Sequence, residues 1–300
     1  MTYTQEIKRE LLAKKSQDRP CCDLASLTTF YALLCENAQA DGIKLKTETP
    51  AVGRKIILLT KKYLKVQPEV KISNRLITVN ISNHADIETL KNNLRLKSQK
   101  ADFFYSKIDP LLTINDCCKK ACLGAAFLAN GHITDPKKSY HFEISTHKKR
   151  VFSDILEIFT ELDLNGKTTL RKNKYVLYLK NNEDITDFLS VIGAKQSLFK
   201  FVDVKMEKEI KNEINRQLNC ESANENKTIE AGLVQIRAIN KLIKGGKLET
   251  LKPALLEAAN LRLHHPDLPL SELVLKSETK LTKSGLNHRL NKIISIADNL

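Results

Sequence analysis

Cysteine is the residue type in this sequence with the widest chemistry, because its thiolate serves both as a nucleophile and as a metal ligand. Cys117, Cys118 and Cys122 lie close together, and positions 118 and 122 share one face of a helix. No second group of Cys and His with ligand spacing accompanies them, and the segment from 118 to 122 is not a zinc-ribbon knuckle. We therefore expect free cysteines packed inside a helix, with no metal, no cofactor and no catalytic residue. The full set is Cys21, Cys22, Cys35, Cys117, Cys118, Cys122 and Cys220.

Hydrogen-bonding and positively charged side chains form a second group near the C-terminus. We expect a short helix over 269–275, a turn over 279–282 and a longer helix over 283–299. Residues 276–292 contain five basic side chains and one acidic side chain, a net charge of +4. The apolar side chains of the longer helix share one face, and polar side chains lie opposite. The apolar face consists of Leu286, Leu290, Ile293 and Ala297, and the outer face of Ser284, His288, Asn291 and Lys292.

This pattern is typical of a helix-turn-helix motif whose second helix enters the major groove of DNA. The alternative is an ordinary helical pair with lysines facing water. If the motif docks conventionally, we expect Ser284, Asn287 and His288 to contact base edges, with Asn287 ranked last because it lies at the flank of the apolar face. We expect phosphate contacts from Lys280, Lys283, Arg289 and Lys292.

The overall composition indicates a globular chain with a polyanionic partner. Of the 300 residues, 42% are hydrophobic and 28% are charged, and the net charge is +14. This excess favours DNA, RNA or an anionic membrane without distinguishing them. Apolar runs such as 56–59 are too short to span a bilayer, and residues 1–6 lack signal-peptide character. With an odd number of cysteines, we expect a cytoplasmic protein without disulfides and without membrane association.

The elements before the C-terminal motif occur twice in the same order. Asn37 and Asn130, and likewise Asn83 and Asn181, recur at offsets of 93 and 98 residues, which predicts a tandem duplication with loop insertions. We expect residues 95–113 to link the copies. The first copy is predicted as helix 24–38, strand 44–49, helix 50–65, strands 69–72 and 76–81, and helix 86–96. The second is predicted as helix 117–130, strand 140–145, helix 148–162, strands 167–170 and 174–179, and helix 184–192.

Helices flank this duplication on both sides. A basic amphipathic helix is predicted over 3–17, and two further helices over 198–218 and 228–243, separated by a polar segment at 219–226. We place a domain boundary in that segment. The expected organisation is an N-terminal helix in 1–20, a duplicated domain over 21–219 with repeats at about 21–96 and 114–194, and a small all-helical domain over 220–300.

The duplicated domain resembles the LAGLIDADG homing endonucleases, an α+β fold in which two motif helices pack side by side and the sheets form a saddle over DNA. Residues 123–131 match the nine positions of the motif, and residues 30–38 match more loosely and lack the terminal Gly. In the nucleases the eighth position of each motif is acidic and holds divalent metal. Here Asn37 and Asn130 occupy those positions, so the metal site is degenerate. A neutral amide cannot offset the charge of a hard cation, and we expect no cleavage.

A catalytically inactive LAGLIDADG-like domain followed by a helix-turn-helix resembles the WhiA regulators of Gram-positive bacteria. The stretches that carry this resemblance are 124–131, 135–141, 219–228, 261–267 and 282–290. The resemblance implies a sequence-specific DNA-binding transcription regulator linked to cell division and chromosome segregation, and to sporulation where it occurs. It also implies a cytoplasmic protein associated with the nucleoid, with double-stranded DNA as its partner and a WhiB-type partner in relatives that have one.

Two other functions stay open at this point. An active metal-dependent endonuclease is supported only by the resemblance in fold. An RNA or ribosome binder agrees with the positive charge, but only 6% of the residues are aromatic, so the sequence lacks the interleaved aromatics of an RNA-recognition sheet.

Overall fold

The structure is a computed structural model that describes residues 1–14, 19–39, 42–74, 76–95, 108–277 and 279–300, with residues 37–39 described by their backbone only. Residues 15–17 of the predicted first helix and most of the predicted linker, 96–107, lie outside the described residues. The chain divides into two compact units, Met1–Lys208 and Glu209–Leu300, each with its own apolar core.

The N-terminal unit contains two copies of one αββαββα series. After α1 (Tyr3–Ala13), the first copy consists of α2 (Pro20–Leu34), β1 (Cys35–Gln39), β2 (Gly42–Thr47), α3 (Pro50–Leu59) with a π-helical turn (Thr60–Leu64), β3 (Glu69–Ser73), β4 (Leu76–Ile81) and α4 (His84–Asn93). After a 3-10 turn (Pro110–Leu112), the second consists of α5 (Asp116–Asn130), β5 (Gly131–Ile133), β6 (Phe142–Thr146), α6 (Lys149–Glu161), β7 (Lys167–Arg171), β8 (Lys174–Leu179) and α7 (Asn182–Val191).

Each copy forms one antiparallel four-stranded sheet, with strand orders β1-β2-β4-β3 and β5-β6-β8-β7. Alternating burial along β4 places Ile77, Val79 and Ile81 in the core, as expected for a strand with one covered face. The helices α2 and α5 pack against each other, and the Ser26 hydroxyl of α2 donates to the Ala121 carbonyl oxygen of α5 at 3.3 Å. Tyr31 of α2 and Phe127 of α5 are completely buried in the core. The sheets therefore lie around a central pair of motif helices.

The sequence analysis did not predict the first strand of each copy, β1 or β5, and is wrong at both places. The prediction extended the first motif helix to residue 38, whereas α2 ends at Leu34 and residues 35–39 form β1. The five residues of β1 include three polar ones, and β5 has only three residues, so neither carries a clear period-two pattern.

The predicted interruption at 219–226 is also wrong, because residues 195–244 form one helix of 50 residues, α8 (Lys195–Lys244). The polar segment contains no Pro, and its Asn, Ser and Cys residues each cost only a few tenths of a kcal/mol of helix propensity, at most about 0.7. The division between the two units falls inside this helix, after Lys208.

The C-terminal unit is entirely helical in its described part. It contains the last part of α8, then α9 (Pro253–His264), α10 (Leu270–Leu275) and α11 (Lys283–Asp298). The short helix, the turn and the long helix predicted from the sequence are confirmed. The core of this unit is formed by Ile239, Leu242, Ala258, Ala259, Leu273, Leu286, Leu290 and Ile293.

Candidate nucleic-acid interface and the motif-helix pair

The helix α11 has one buried face and one exposed face, as its spacing predicted. Leu286, Leu290, Ile293 and Ala297 are at most 1% exposed. The helix starts at a defined residue, because the Thr282 hydroxyl accepts a hydrogen bond from the Gly285 N–H at 3.1 Å and so acts as its N-cap. The predicted DNA contacts whose side chains are exposed are Lys280, Lys283, Ser284, Asn287, His288, Asn291 and Lys292.

Arg289 differs from the other predicted contacts because it is partly covered and paired within the unit. Its Nη1 lies 3.1 Å from Oε2 of Glu257 on α9 and 3.3 Å from the Ala254 carbonyl oxygen. The other carboxylate oxygen of Glu257 accepts hydrogen bonds from the hydroxyls of Thr279 at 2.6 Å and Ser277 at 3.2 Å. Arg289 and Glu257 therefore tie α11 and the turn before it to α9.

Glu257 was not identified from the sequence. Its pKa lies below its usual range, first because it accepts the Thr279 hydrogen bond and also because of the Ser277 hydroxyl and the charge of Arg289. The signal available in the sequence was a single acidic residue within the apolar series of α9, four residues after Pro253.

Arg262 holds the connection between α9 and α10. It is 2% exposed, and its Nη1 donates to the carbonyl oxygens of Leu268 at 2.8 Å, Pro266 at 3.2 Å and His265 at 3.3 Å. One buried guanidinium thus satisfies three carbonyl groups of the loop that positions α10. Burial lowers the pKa of Arg262.

The C-terminal ends of the motif helices correct the sequence alignment of the first motif. Both α2 and α5 have 15 residues, and their last residues are Leu34 and Asn130. Leu34, rather than Asn37, therefore corresponds to Asn130, and Asn37 lies three residues farther along on β1. The Asn130 amide nitrogen donates to the Ser145 carbonyl oxygen at 3.1 Å.

Gly131 makes a close contact with Phe127 and does not have an unusual backbone conformation. Its φ is −81°, which any residue can adopt, but a Cβ at this position would lie 2.7 Å from the Cα and carbonyl oxygen of Phe127. The first motif has Cys35 at the corresponding place.

A lysine lies at the end of α2. The Lys148 ammonium donates to the carbonyl oxygens of Ala32 at 2.7 Å and Cys35 at 2.5 Å, and burial lowers its pKa. Glu36, the acidic residue adjacent to the motif end, forms an ion pair with Lys46 on β2. The two helices thus end in an apolar side chain and an amide with a cation beside them, and the Glu36 carboxylate is paired with Lys46, whereas a divalent ion prefers a set of several carboxylates.

The cysteines correct one premise of the sequence analysis. Cys118 and Cys122 are buried in α5 as predicted, and the Cys122 thiol donates to the Ala25 carbonyl oxygen at 3.5 Å. The sequence predicted no second group of possible metal ligands near these cysteines. That prediction is wrong, because Cys21 and Cys22 lie beside Cys117 and Cys118. The sequence signal was a Cys-Cys pair in each copy of the duplication.

Among the described residues, no helix combines the length and the apolar character needed to cross a bilayer.

Comparison with known proteins identifies the family. The family model of the WhiA LAGLIDADG-like domain matches residues 119–211, and that of the WhiA C-terminal HTH domain matches residues 214–297. The probable cell division protein WhiA of Bacillus cytotoxicus is 38% identical over 309 residues, which cover 100% of this chain and 97% of that protein. The protein of the same name from Bacillus subtilis (strain 168) is 35% identical over 312 residues, which cover 100% and 97%.

A solved structure supports the fold over the whole length. The crystal structure of full-length DUF199/WhiA from Thermatoga maritima matches with a TM-score of 0.60 and 24% identity, covering 100% of this chain and 99% of that chain. With both family models matched in order and relatives above 30% identity along nearly its full length, this chain belongs to the WhiA family.

Proposed function

We propose that this protein is a sequence-specific DNA-binding transcription regulator that acts at the nucleoid in cell division and chromosome segregation, and in sporulation where it occurs. The observation that carries this proposal is the outer face of α11, where exposed hydroxyl, imidazole, amide and ammonium groups lie opposite a fully buried apolar face. The match to the HTH domain supports DNA as the partner, and the relatives, which are named as probable cell division proteins, support a role in cell division.

The contacts follow from the position of each side chain along α11. Ser284 and His288 lie in its first turns and are exposed, so we propose that they read base edges, with Asn287 and Asn291 beside them. We propose that the exposed ammonium groups of Lys280, Lys283 and Lys292 contact phosphates. Arg289 is better assigned as a positioning residue, because Glu257 and the Ala254 carbonyl oxygen already occupy its guanidinium.

The test begins with chromatin immunoprecipitation and sequencing to obtain the bound site. Fluorescence anisotropy then compares that duplex with a scrambled duplex. A Ser284→Ala/His288→Ala variant should lose discrimination worth about 1–3 kcal/mol for each base contact removed. Ser295→Ala is the matched control, since Ser295 is exposed on the same helix but lies about 16 Å from Ser284 along the helix axis. Unchanged discrimination in the double variant would refute this assignment.

We further propose that the protein does not cleave DNA. The support is that the last residues of the motif helices, Leu34 and Asn130, are not carboxylates, and that the Lys148 ammonium lies beside them. The carboxylate of Glu36 is already paired with Lys46. Incubation with supercoiled plasmid and Mg²⁺ should leave the plasmid intact. Cleavage that depends on the protein and disappears in Glu36→Gln would establish the nuclease instead.

Competition between nucleic acids separates DNA binding from RNA binding. Unlabelled duplex DNA should displace the labelled site, whereas RNA of equal length and charge should displace it only weakly. In species with a WhiB-type protein, we propose that protein as a partner, and co-immunoprecipitation from cells with and without it tests the association.

A further inference from the structure

The two Cys-Cys pairs occupy the same place in the two copies of the duplication. Cys21 and Cys22 are the second and third residues of α2, and Cys117 and Cys118 are the second and third residues of α5. The offset is 96 residues for both members of the pair, and it also relates the ends of the two helices. The packing of α2 against α5 therefore places four thiols at one end of the motif-helix pair.

The four sulfur atoms form a compact group. Their Sγ atoms all lie within 4.8 Å of one another, and the two sulfurs of each Cys-Cys pair are 4.0 Å apart. Four thiolates bound tetrahedrally to one Zn²⁺ at about 2.3 Å would have sulfur–sulfur distances of about 3.8 Å. The cysteine cluster (Cys21, Cys22, Cys117 and Cys118) therefore needs shifts of less than about 1 Å between sulfurs to reach this geometry.

We propose that the cysteine cluster binds a single zinc ion, a site that the sequence analysis did not foresee. All four positions of the tetrahedron are taken by protein ligands, so the site is structural and leaves no open position for a substrate or water. Each thiol releases its proton to solvent as its sulfur binds the ion. One ion fits better than an iron–sulfur cluster, because a cluster distributes its cysteine ligands over several irons and so requires larger separations between them.

The surroundings offset the charge of such a site. Four thiolates and one Zn²⁺ carry a net charge of −2. Arg19, Lys55 and Lys120 line the same cleft as Cys22 and Cys117, and the cluster lies in the first turns of two helices, where the backbone dipole favours negative charge. Cys21 is exposed, Cys22 and Cys117 are partly exposed and Cys118 is buried, so solvent reaches part of the cluster.

The ion would hold the motif helices together at the end opposite to the degenerate positions. The thiols come from helix starts, whereas Leu34 and Asn130 are the last residues of the same helices. Because both helices contribute to the central core, the bound ion should raise the stability of the N-terminal unit without touching α11.

The experiment measures metal content and a spectroscopic signature on the full-length chain, purified under reducing and anaerobic conditions. Elemental analysis should give about one zinc per chain, as for a closed Cys₄ site. Cobalt(II) added to metal-free protein should give the visible absorption of a tetrahedral tetrathiolate. Both signals should be lost in Cys22→Ser/Cys117→Ser and kept in Cys220→Ser, the matched control, whose exposed thiol lies on α8 outside the cluster.

A second variant keeps the test decisive if the double variant does not fold. Cys21→Ser changes only the exposed ligand and should bind zinc more weakly than the wild type in a chelator competition, with an unchanged circular dichroism spectrum. Three results would overturn the proposal. They are seven free thiols with no zinc or cobalt bound, a mass lower by 2 Da for each interhelical disulfide, or stoichiometric iron with sulfide.

Discussion

Lys283 is the first residue of α11 and its side chain is exposed, so in the proposed complex with DNA its ammonium group would neutralise one phosphate. We expect Lys283→Ala to weaken binding to every duplex by a similar factor and to reduce the slope of log affinity against log salt concentration by about one. Anisotropy titrations at several salt concentrations measure both effects. Lys91→Ala is the control because it removes the same charge from α4, where Glu88 pairs with it at 2.8 Å. An unchanged slope in Lys283→Ala would remove this residue from the interface.

The Glu257 carboxylate joins Arg289, Thr279 and Ser277, so its loss should loosen the turn before α11. We expect Glu257→Gln to lower the melting temperature of the C-terminal unit and to weaken DNA binding without changing the salt slope, because no phosphate contact is removed. Thermal melts and salt titrations separate these two effects. Glu249→Gln, at an exposed position before α9, is the control.

The lowered pKa of Glu257 also leads us to expect that the stability of the C-terminal unit depends on pH. The folded-state pKa of Glu257 is lowered, so its stabilising contribution is present above the unfolded pKa and disappears as the pH falls through the lower folded value. The difference in melting temperature between wild type and Glu257→Gln should therefore be full at neutral pH and shrink below the ordinary range of a glutamic acid. A difference that grows on acidification would contradict this role.

Single residues of α11 were predictable because helical spacing alone separates Leu286 and Leu290 from Ser284 and His288. The pairing of Arg289 with Glu257 could not be predicted, because the two residues are 32 positions apart and meet only when α9 packs on α11. The cysteine cluster could not be predicted for the same reason, because its two Cys-Cys pairs are 96 positions apart and meet only when α2 packs on α5. The repeated Cys-Cys pairs themselves were visible in the sequence.

At the scale of elements, the end of α2 depends on a side chain from the second copy of the duplication. Lys148 donates to two carbonyl oxygens there, at 2.7 Å and 2.5 Å. We expect Lys148→Met to lower the free energy of unfolding by about 1–3 kcal/mol, because it leaves partly buried carbonyl groups without a donor. Urea unfolding measures the change. Lys149→Met is the control, since Lys149 is exposed, and equal stability of the two variants would rule out the capping role.

Elements with strong local signals were predicted within a few residues. The helix α5 was predicted to start one residue late, and the pairs β3–β4 and β7–β8 were predicted nearly to their ends. The failures have physical causes. The strands β1 and β5 exist because β2 and β6 pair with them, and α8 continues through a polar segment because nothing in that segment breaks a helix.

At the scale of the whole molecule, the positive charge is unevenly divided between the two units. Residues 209–300 contain 14 basic and 11 acidic side chains, a net of +3, so residues 1–208 carry +11 of the total of +14. A helix-turn-helix domain with so small an excess depends on the local charge around α11 for its phosphate contacts. The larger excess in the N-terminal unit should add attraction to DNA that is independent of sequence.

This division predicts how binding responds to salt. The C-terminal unit has its own core, so a fragment of residues 209–300 should fold and recognise the same site as the full chain. We expect its affinity to be lower and its salt slope smaller than those of the full chain, because fewer counterions are released. The preference for the site over a scrambled duplex should be nearly equal in the two proteins, since it depends on α11. Circular dichroism establishes that the fragment is folded, and anisotropy gives both slopes. Equal slopes would mean that the N-terminal unit makes no contact with DNA, and its charge would then require another polyanion.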